Sequence, residues 1–382
     1  MRFIPYGHQL IDDDDILSVV EVLKSDWLTT GPAVDLFEKE LASYVGARHT
    51  VAVNSGTSAL DIAVQALDLP RGSEIITTPF TFAATSNAIL YNGHIPIFAD
   101  IDPITRNIHP DEIRKRISSK TRAIIYVDYA GHPCAIDEIE KIAREHGLLL
   151  IEDACHALGT SYKGRKIGTF ADMTVFSFHP VKPITTGEGG AVVTENSELY
   201  AKLRLLRSHG ITRDVGDMFG EGASWGYDMQ LLGRNYRMTD IQAALGVSQL
   251  RKIDSFIERR NELAALYTRA LSDLEWLDLP RTQEHVTHGW HLYTILLKGL
   301  ERSTLFPYLK ERGIGVNVHY IPTYKFSYYQ RHYPQNANTF PSTEDIFSRI
   351  ITLPLYPGMS DEDVEYVSVR LHEAESDLKI SI

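Results

Sequence analysis

The chain has 382 residues, 38 of them basic and 50 acidic, for a formal charge of −12. At roughly 100 to 200 residues per domain this length fits two domains, and the acidic balance argues against nucleic-acid binding. No window approaches the roughly 18 apolar residues of a membrane helix, and the first seven residues lack a signal-peptide stretch. Cys134 and Cys155 stand in no metal-ligand or redox spacing. A cytoplasmic protein with two structural thiols is expected.

In chain order, Asp12 to Asp15 open an amphipathic stretch over 16–23, and carboxylates there favour a helix N-terminus, so the acidic run reads as a cap rather than a metal site. Helix 34–44, strand 50–53, helix 57–67, strand 74–78, helix 82–91 and strand 95–99 follow. The alternation continues through strand 123–127, helix 136–145 and the apolar strand from Leu148. This rhythm predicts an α/β fold, a mostly parallel sheet covered by helices on both faces. A long helical pattern over 240–271 then leads into a segment rich in Tyr, His and Pro. The expected division is a large domain over 1–250, with an N-terminal arm, and a smaller α/β domain over 251–382.

Three side chains then carry chemistry. Leu148-Leu149-Leu150-Ile151 ends abruptly in Glu152-Asp153, as a buried parallel strand does at its carboxyl end, where ligands of open α/β sheets bind. The β-branched and aromatic run 173–178 leads to Lys182, which Pro183 holds away from helical backbone. A lysine able to form a Schiff base, a carboxylate for a pyridine nitrogen and a hydroxyl at Ser177 for a phosphate oxygen suffice to hold pyridoxal phosphate.

Between the first strand and its helix, Asn54-Ser55-Gly56-Thr57-Ser58 offers Gly56 for close backbone approach, with Thr57 and Ser58 at a helix N-terminus. Alone it reads more readily as a helix cap than as a phosphate seat. Asp153 alone reads equally as a strand-end cap, and Phe82 alone as core.

In combination these residues resemble the DegT/DnrJ/EryC1/StrS sugar aminotransferases, which have the aspartate-aminotransferase (type I) fold of pyridoxal-phosphate enzymes. Matching blocks run from position 5 past 355: Trp27 to Pro32, Asn54 to Leu60, Glu152 to His156, the Lys182 block, Arg207 to Gly210, Gly233 to Asp240, and Val318 to Tyr320. The resemblance implies Lys182 as Schiff-base lysine and Asp153 as partner of the ring nitrogen. It implies phosphate ligands at Ser177 and Thr57, ring stacking by Phe82, His156 near the ring, and Asn235 reaching the phosphate held by the other subunit of a homodimer. It also implies a cofactor cycling between pyridoxal and pyridoxamine phosphate, with glutamate as amino donor.

Within the family, the tract Val127-Asp128-Tyr129-Ala130-Gly131 resembles enzymes that aminate carbon 4 of a nucleotide-linked sugar. The run from Phe178 to Thr186, with Tyr6, resembles the pseudaminic-acid branch, whose acceptor is a UDP-linked 4-keto-6-deoxy-N-acetylhexosamine. The family's dehydratases replace the lysine with histidine, and this sequence keeps lysine. Among Tyr320, Tyr324, Tyr328 and Tyr329, a domain interface is the plainer reading. Tyr320, with Tyr6 and His319, is carried forward as a substrate contact.

Overall fold

The computed structural model describes residues 2–213 and 225–380. Its main sheet has seven strands: β1 His49–Val53, β2 Glu74–Thr77, β3 Ile95–Phe98, β4 Thr121–Val127, β5 Leu149–Asp153, β6 Met173–Ser177 and β7 Gly190–Thr194. They lie in the order β1-β7-β6-β5-β4-β2-β3. Six run parallel, and β7 alone is antiparallel to both neighbours. The mostly parallel sheet expected from the alternation is therefore present. The β7 reversal lay outside the periodicity because Gly190–Thr194 follows β6 across a loop rather than a helix.

Helices cover both faces. On one, α1 (Asp13–Lys24) and α2 (Pro32–Val45) pack with α8 (Asp240–Leu250); on the other lie α3 (Gly56–Ala66), α4 (Ala84–Tyr91) and α7 (Ser197–Arg207), while α5 (Pro110–Arg116) and α6 (Ile136–His146) flank β4 and β5. The acidic run does cap α1: the Asp15 N–H donates to Asp12 Oδ1 at 3.1 Å and the Asp12 N–H donates to Asp15 Oδ2 at 3.1 Å. In α3 the residues 58–64 are all buried. A helix apolar all round belongs inside, and each buried Leu or Ile there contributes about 1.5–3 kcal/mol.

The helical pattern over 240–271 resolves into two helices, α8 and α9 (Ile253–Ala270). No Pro or Gly marks the break. Instead Lys252 turns out of the helix, and its Nζ meets Asp12 and Asp15 at 2.7 Å each. The periodicity of apolar residues carries through, so the sequence gives no sign of the kink.

The small domain is built on the antiparallel strands β8 Leu277–Asp278, β9 Tyr293–Leu297 and β10 Ile350–Leu353, in that order, with α10 (Arg302–Glu311) and α11 (Asp361–Asp377). Helix α9 serves both bodies: Phe256 and Ile257 pack in the large domain, Leu263 and Tyr267 in the small one. Ile4, at the start of the N-terminal arm, sits in the small-domain core, and its N–H donates to the Gly313 carbonyl at 2.8 Å. The arm thereby crosses the mouth between the domains.

Candidate active site

The carboxyl ends of β1, β4, β5 and β6 open onto a cavity of about 570 Å³ that the small domain closes with Asn317 to Ile321. Asp153 ends β5 and is buried. The Thr85 hydroxyl donates to Asp153 Oδ2 at 2.8 Å and the Cys155 N–H to Oδ1 at 3.3 Å, so the carboxylate is aimed and not merely capping a helix. Lys182 lines the same cavity from the loop after β6. Burial holds its ammonium below the ordinary lysine range, partly offset by Cys155 and Asp153.

The phosphate-seat reading divides. Ser55 is the N-cap of α3, and its Oγ accepts the Ser58 N–H at 3.0 Å. The Ser58 hydroxyl donates to Asn54 Oδ1 at 2.7 Å, turned inward as the third residue of a first turn is. Ser58 therefore does not line the cavity, and the expectation that it faces a ligand is corrected. Gly56, Thr57 and Ser177 do line it, with Ser55 as the hydroxyl that sequence reading passed over.

His156 follows Asp153 on the turn after β5. Its Nδ1 accepts the Ala130 N–H at 3.2 Å, which leaves the proton on Nε2, and Nε2–H donates to the Tyr320 hydroxyl oxygen at 3.0 Å. Burial keeps His156 neutral and pushes the Tyr320 phenol well above its ordinary value, so Tyr320 retains its proton and can donate it to a ligand.

The remaining wall is aromatic and polar. Phe82 is 62% exposed, which excludes the core reading; its ring lies 6.3 Å from that of Tyr320 at the cavity edge. Tyr6 lies 5.4 Å from the His319 ring, and the His319 Nδ1 is 2.8 Å from Thr352 Oγ1. Burial drives His319 down to about 3. Tyr324 and Tyr329 pack with Phe98 and Phe340 between the domains, while Tyr328 is exposed.

Two lining residues had no motif to announce them. His291 is buried with its ring 4.3 Å from that of His156, and its N–H donates to the Ala130 carbonyl at 2.9 Å. Asn317 lies on the wall and is tied to Thr352 by a pair of backbone hydrogen bonds. Both reach the site through the docking of the small domain, which no local pattern records. Asn235 is exposed and outside this cavity; its segment runs beside the phosphate turn, where the Asn54 N–H donates to the Tyr236 carbonyl at 2.9 Å.

These residues fit pyridoxal phosphate: a cradle at Gly56 that a Cβ would fill, a lysine kept low by burial, and an oriented buried carboxylate. A doubly wound sheet with such a lysine at its carboxyl edge defines a pyridoxal-phosphate enzyme of fold type I. The comparisons sharpen this class. The model of the DegT/DnrJ/EryC1/StrS aminotransferase family matches residues 9–372, and the chain belongs to that family.

A UDP-4-amino-4,6-dideoxy-N-acetyl-beta-L-altrosamine transaminase of Campylobacter jejuni is 41% identical over 374 residues, covering 95% of each chain. The structure of Helicobacter pylori PseC, an aminotransferase involved in pseudaminic-acid biosynthesis, superposes with a TM-score of 0.93 at 35% identity, covering 98% of this chain and 100% of that one. A sugar aminotransferase of Streptococcus pneumoniae, 30% identical, superposes in its PLP form with a TM-score of 0.92 and in its PMP form with 0.93, each covering 98% of this chain and 99% of that one.

Proposed function

We propose that this aminotransferase moves the amino group of glutamate to carbon 4 of a UDP-linked 4-keto-6-deoxy-N-acetylhexosamine, a step of pseudaminic-acid biosynthesis. The observation that carries the reading is the meeting of Lys182 and Asp153 in one cavity, in a chain similar over nearly its whole length to the Campylobacter transaminase. Pyridoxal phosphate, when bound, supplies an electron-withdrawing ring and an aldehyde carbon that takes up and gives back the amino group.

The chain's own residues do the rest. Asp153, fixed by Thr85 and Cys155, keeps a proton on the ring nitrogen. Gly56, Thr57 and Ser177 present N–H and hydroxyl donors to the phosphate at the N-terminus of α3, where the helix dipole favours an anion. Phe82, at the cavity edge, would cover the ring. The Lys182 amine, whose hold on a proton burial weakens, takes the Cα proton of glutamate and delivers a proton to carbon 4 of the sugar in the second half-reaction.

His156 holds the Tyr320 hydroxyl, which keeps its own proton to donate to the acceptor. Tyr6 and His319 contact the sugar. Asn235 reaches the phosphate held by the other subunit of a homodimer. Among the described residues no helix is long and apolar enough to cross a membrane, and a cytoplasmic location suits nucleotide-sugar chemistry. The test offers purified protein glutamate with UDP- and dTDP-linked 3- and 4-ketosugars and reads products by mass spectrometry. Amination confined to a different ketosugar would replace the acceptor named here.

A further inference from the structure

Behind Asp153, on the opposite face of the sheet, two carboxyls lie fully buried with no counter-charge among the described residues. β4 and β5 pair Tyr126 with Glu152 and Val127 with Asp153, so alternation sends Asp153 to the cavity and Glu152 away from it. Asp128 follows β4, and its N–H donates to the Asp153 carbonyl at 3.2 Å. Glu152 and Asp128 are both 0% exposed.

Each carboxyl has one oxygen accounted for. Glu152 Oε2 accepts the Thr174 hydroxyl at 2.8 Å, and Asp128 Oδ1 accepts the Cys134 N–H at 2.9 Å. The other oxygens, Glu152 Oε1 and Asp128 Oδ2, are enclosed and have no hydrogen-bond partner among the described residues, and the same holds for the Tyr126 hydroxyl; β4 sets Tyr126 beside Glu152 and Asp128 two residues further on the same face, so the two carboxyls are neighbours there. The titratable groups facing the pair are Tyr126 from β4, Cys134 from the segment after it and Asp153 from β5; Thr174 of β6 adds only a hydroxyl. None is a cation. Two adjacent buried anions with no counter-charge are not tenable, whereas two carboxyls holding one proton are.

We propose that Asp128 and Glu152 share one proton between these two oxygens, and that this singly charged pair is the positioning support of Asp153. Its hydrogen bond ties the end of β4 to β5, and the Asp128 N–H fixes the Asp153 backbone. The charge behind Asp153 strengthens that carboxylate's hold on a proton at its cavity side. Burial raises both carboxyls, Asp128 to about 7 and Glu152 well above its ordinary value. Loss of the proton in alkali would place two like charges together and disturb Asp153.

The positioning role rests on Asp153 as partner of the ring nitrogen; the shared proton does not. Infrared spectra of the purified protein, with and without pyridoxal phosphate, should show the carbonyl stretch of a protonated carboxylic acid at about pH 8, well above the ordinary carboxylate range. Glu152→Gln and Asp128→Asn should each remove it, and either variant serves if the other does not fold. No such band in the parent, or one that survives both substitutions, overturns the proposal.

Glu152→Gln keeps one carboxylate, one donor and the same net charge, so its amino transfer should stay within about threefold of the parent at neutral pH, with the alkaline loss displaced. Glu152→Leu should lose about tenfold or more in kcat. A fully active Glu152→Leu sinks the positioning role. A parent that aminates none of the ketosugars refutes the proposed acceptor while the infrared result still stands.

Discussion

A Cβ on Gly56 would stand 2.8 Å from Ser177 Cβ and 3.0 Å from its Oγ, so the first turn of α3 and the end of β6 approach as closely as a glycine allows. That closeness lets one phosphate touch both. Gly56→Ala must push the two apart, an overpacking typically worth about 1–3 kcal/mol. The affinity for pyridoxal phosphate, titrated by absorbance, should fall by about tenfold with the fold retained. Unchanged affinity would mean that α3 and β6 separate freely.

Lys182 is the only amine lining the cavity among the described residues. Lys182→Ala should remove the visible absorption of the lysine-bound cofactor and lower amino transfer by about 1,000-fold or more, the scale expected for losing a positioned base. Absorption and turnover would be followed on the same sample. Parental turnover in the variant would show that another group moves the proton.

His156, His291 and His319 surround the cavity as neutral rings, each held below its ordinary value chiefly by burial. Below about pH 6.5 the unfolded chain binds protons at these positions that the folded chain refuses. Their contribution is therefore present above that pH and lost as pH falls, by up to about 1.4 kcal/mol per unit for each ring. Urea unfolding of the parent and His291→Asn at two pH values checks the sign. The variant should show the shallower acid loss; an identical slope would mean that His291 protonates in the folded state.

What the sequence made legible was local. Lys182, Asp153 and Ser177 sit at ends of strands whose apolar runs are visible in one dimension, and the cap at Asp12 follows from charge placed before an amphipathic stretch. Ser58 was misplaced because a Ser at the third position of a first turn serves the cap of its own helix, and a motif cannot say which hydroxyl turns inward. His291 and Asn317 stayed hidden because they gain meaning only when the small domain closes on the Ala130 turn and β10. The break at Lys252 coincides with ion pairs to residues some 240 positions away, which no window contains.

Asn235 lies outside the cavity of its own chain, yet its neighbours are held firmly: Arg234 Nε is 3.2 Å and the Tyr236 hydroxyl 2.9 Å from Asp61 Oδ2. The proposed function has this exposed amide meet a second copy of the chain. If Asn235 of one chain contacts the phosphate held by Thr57 and Ser177 of the other, two damaged chains should repair each other. In a hybrid of Lys182→Ala with Asn235→Asp, whose added charge repels phosphate, one site carries both lesions and the other neither. Random exchange of equal amounts makes about half the dimers hybrids, so about a quarter of parental activity should return. Activity no higher than that of the two separate variants, with chain exchange demonstrated by mass, would place Asn235 outside the active site.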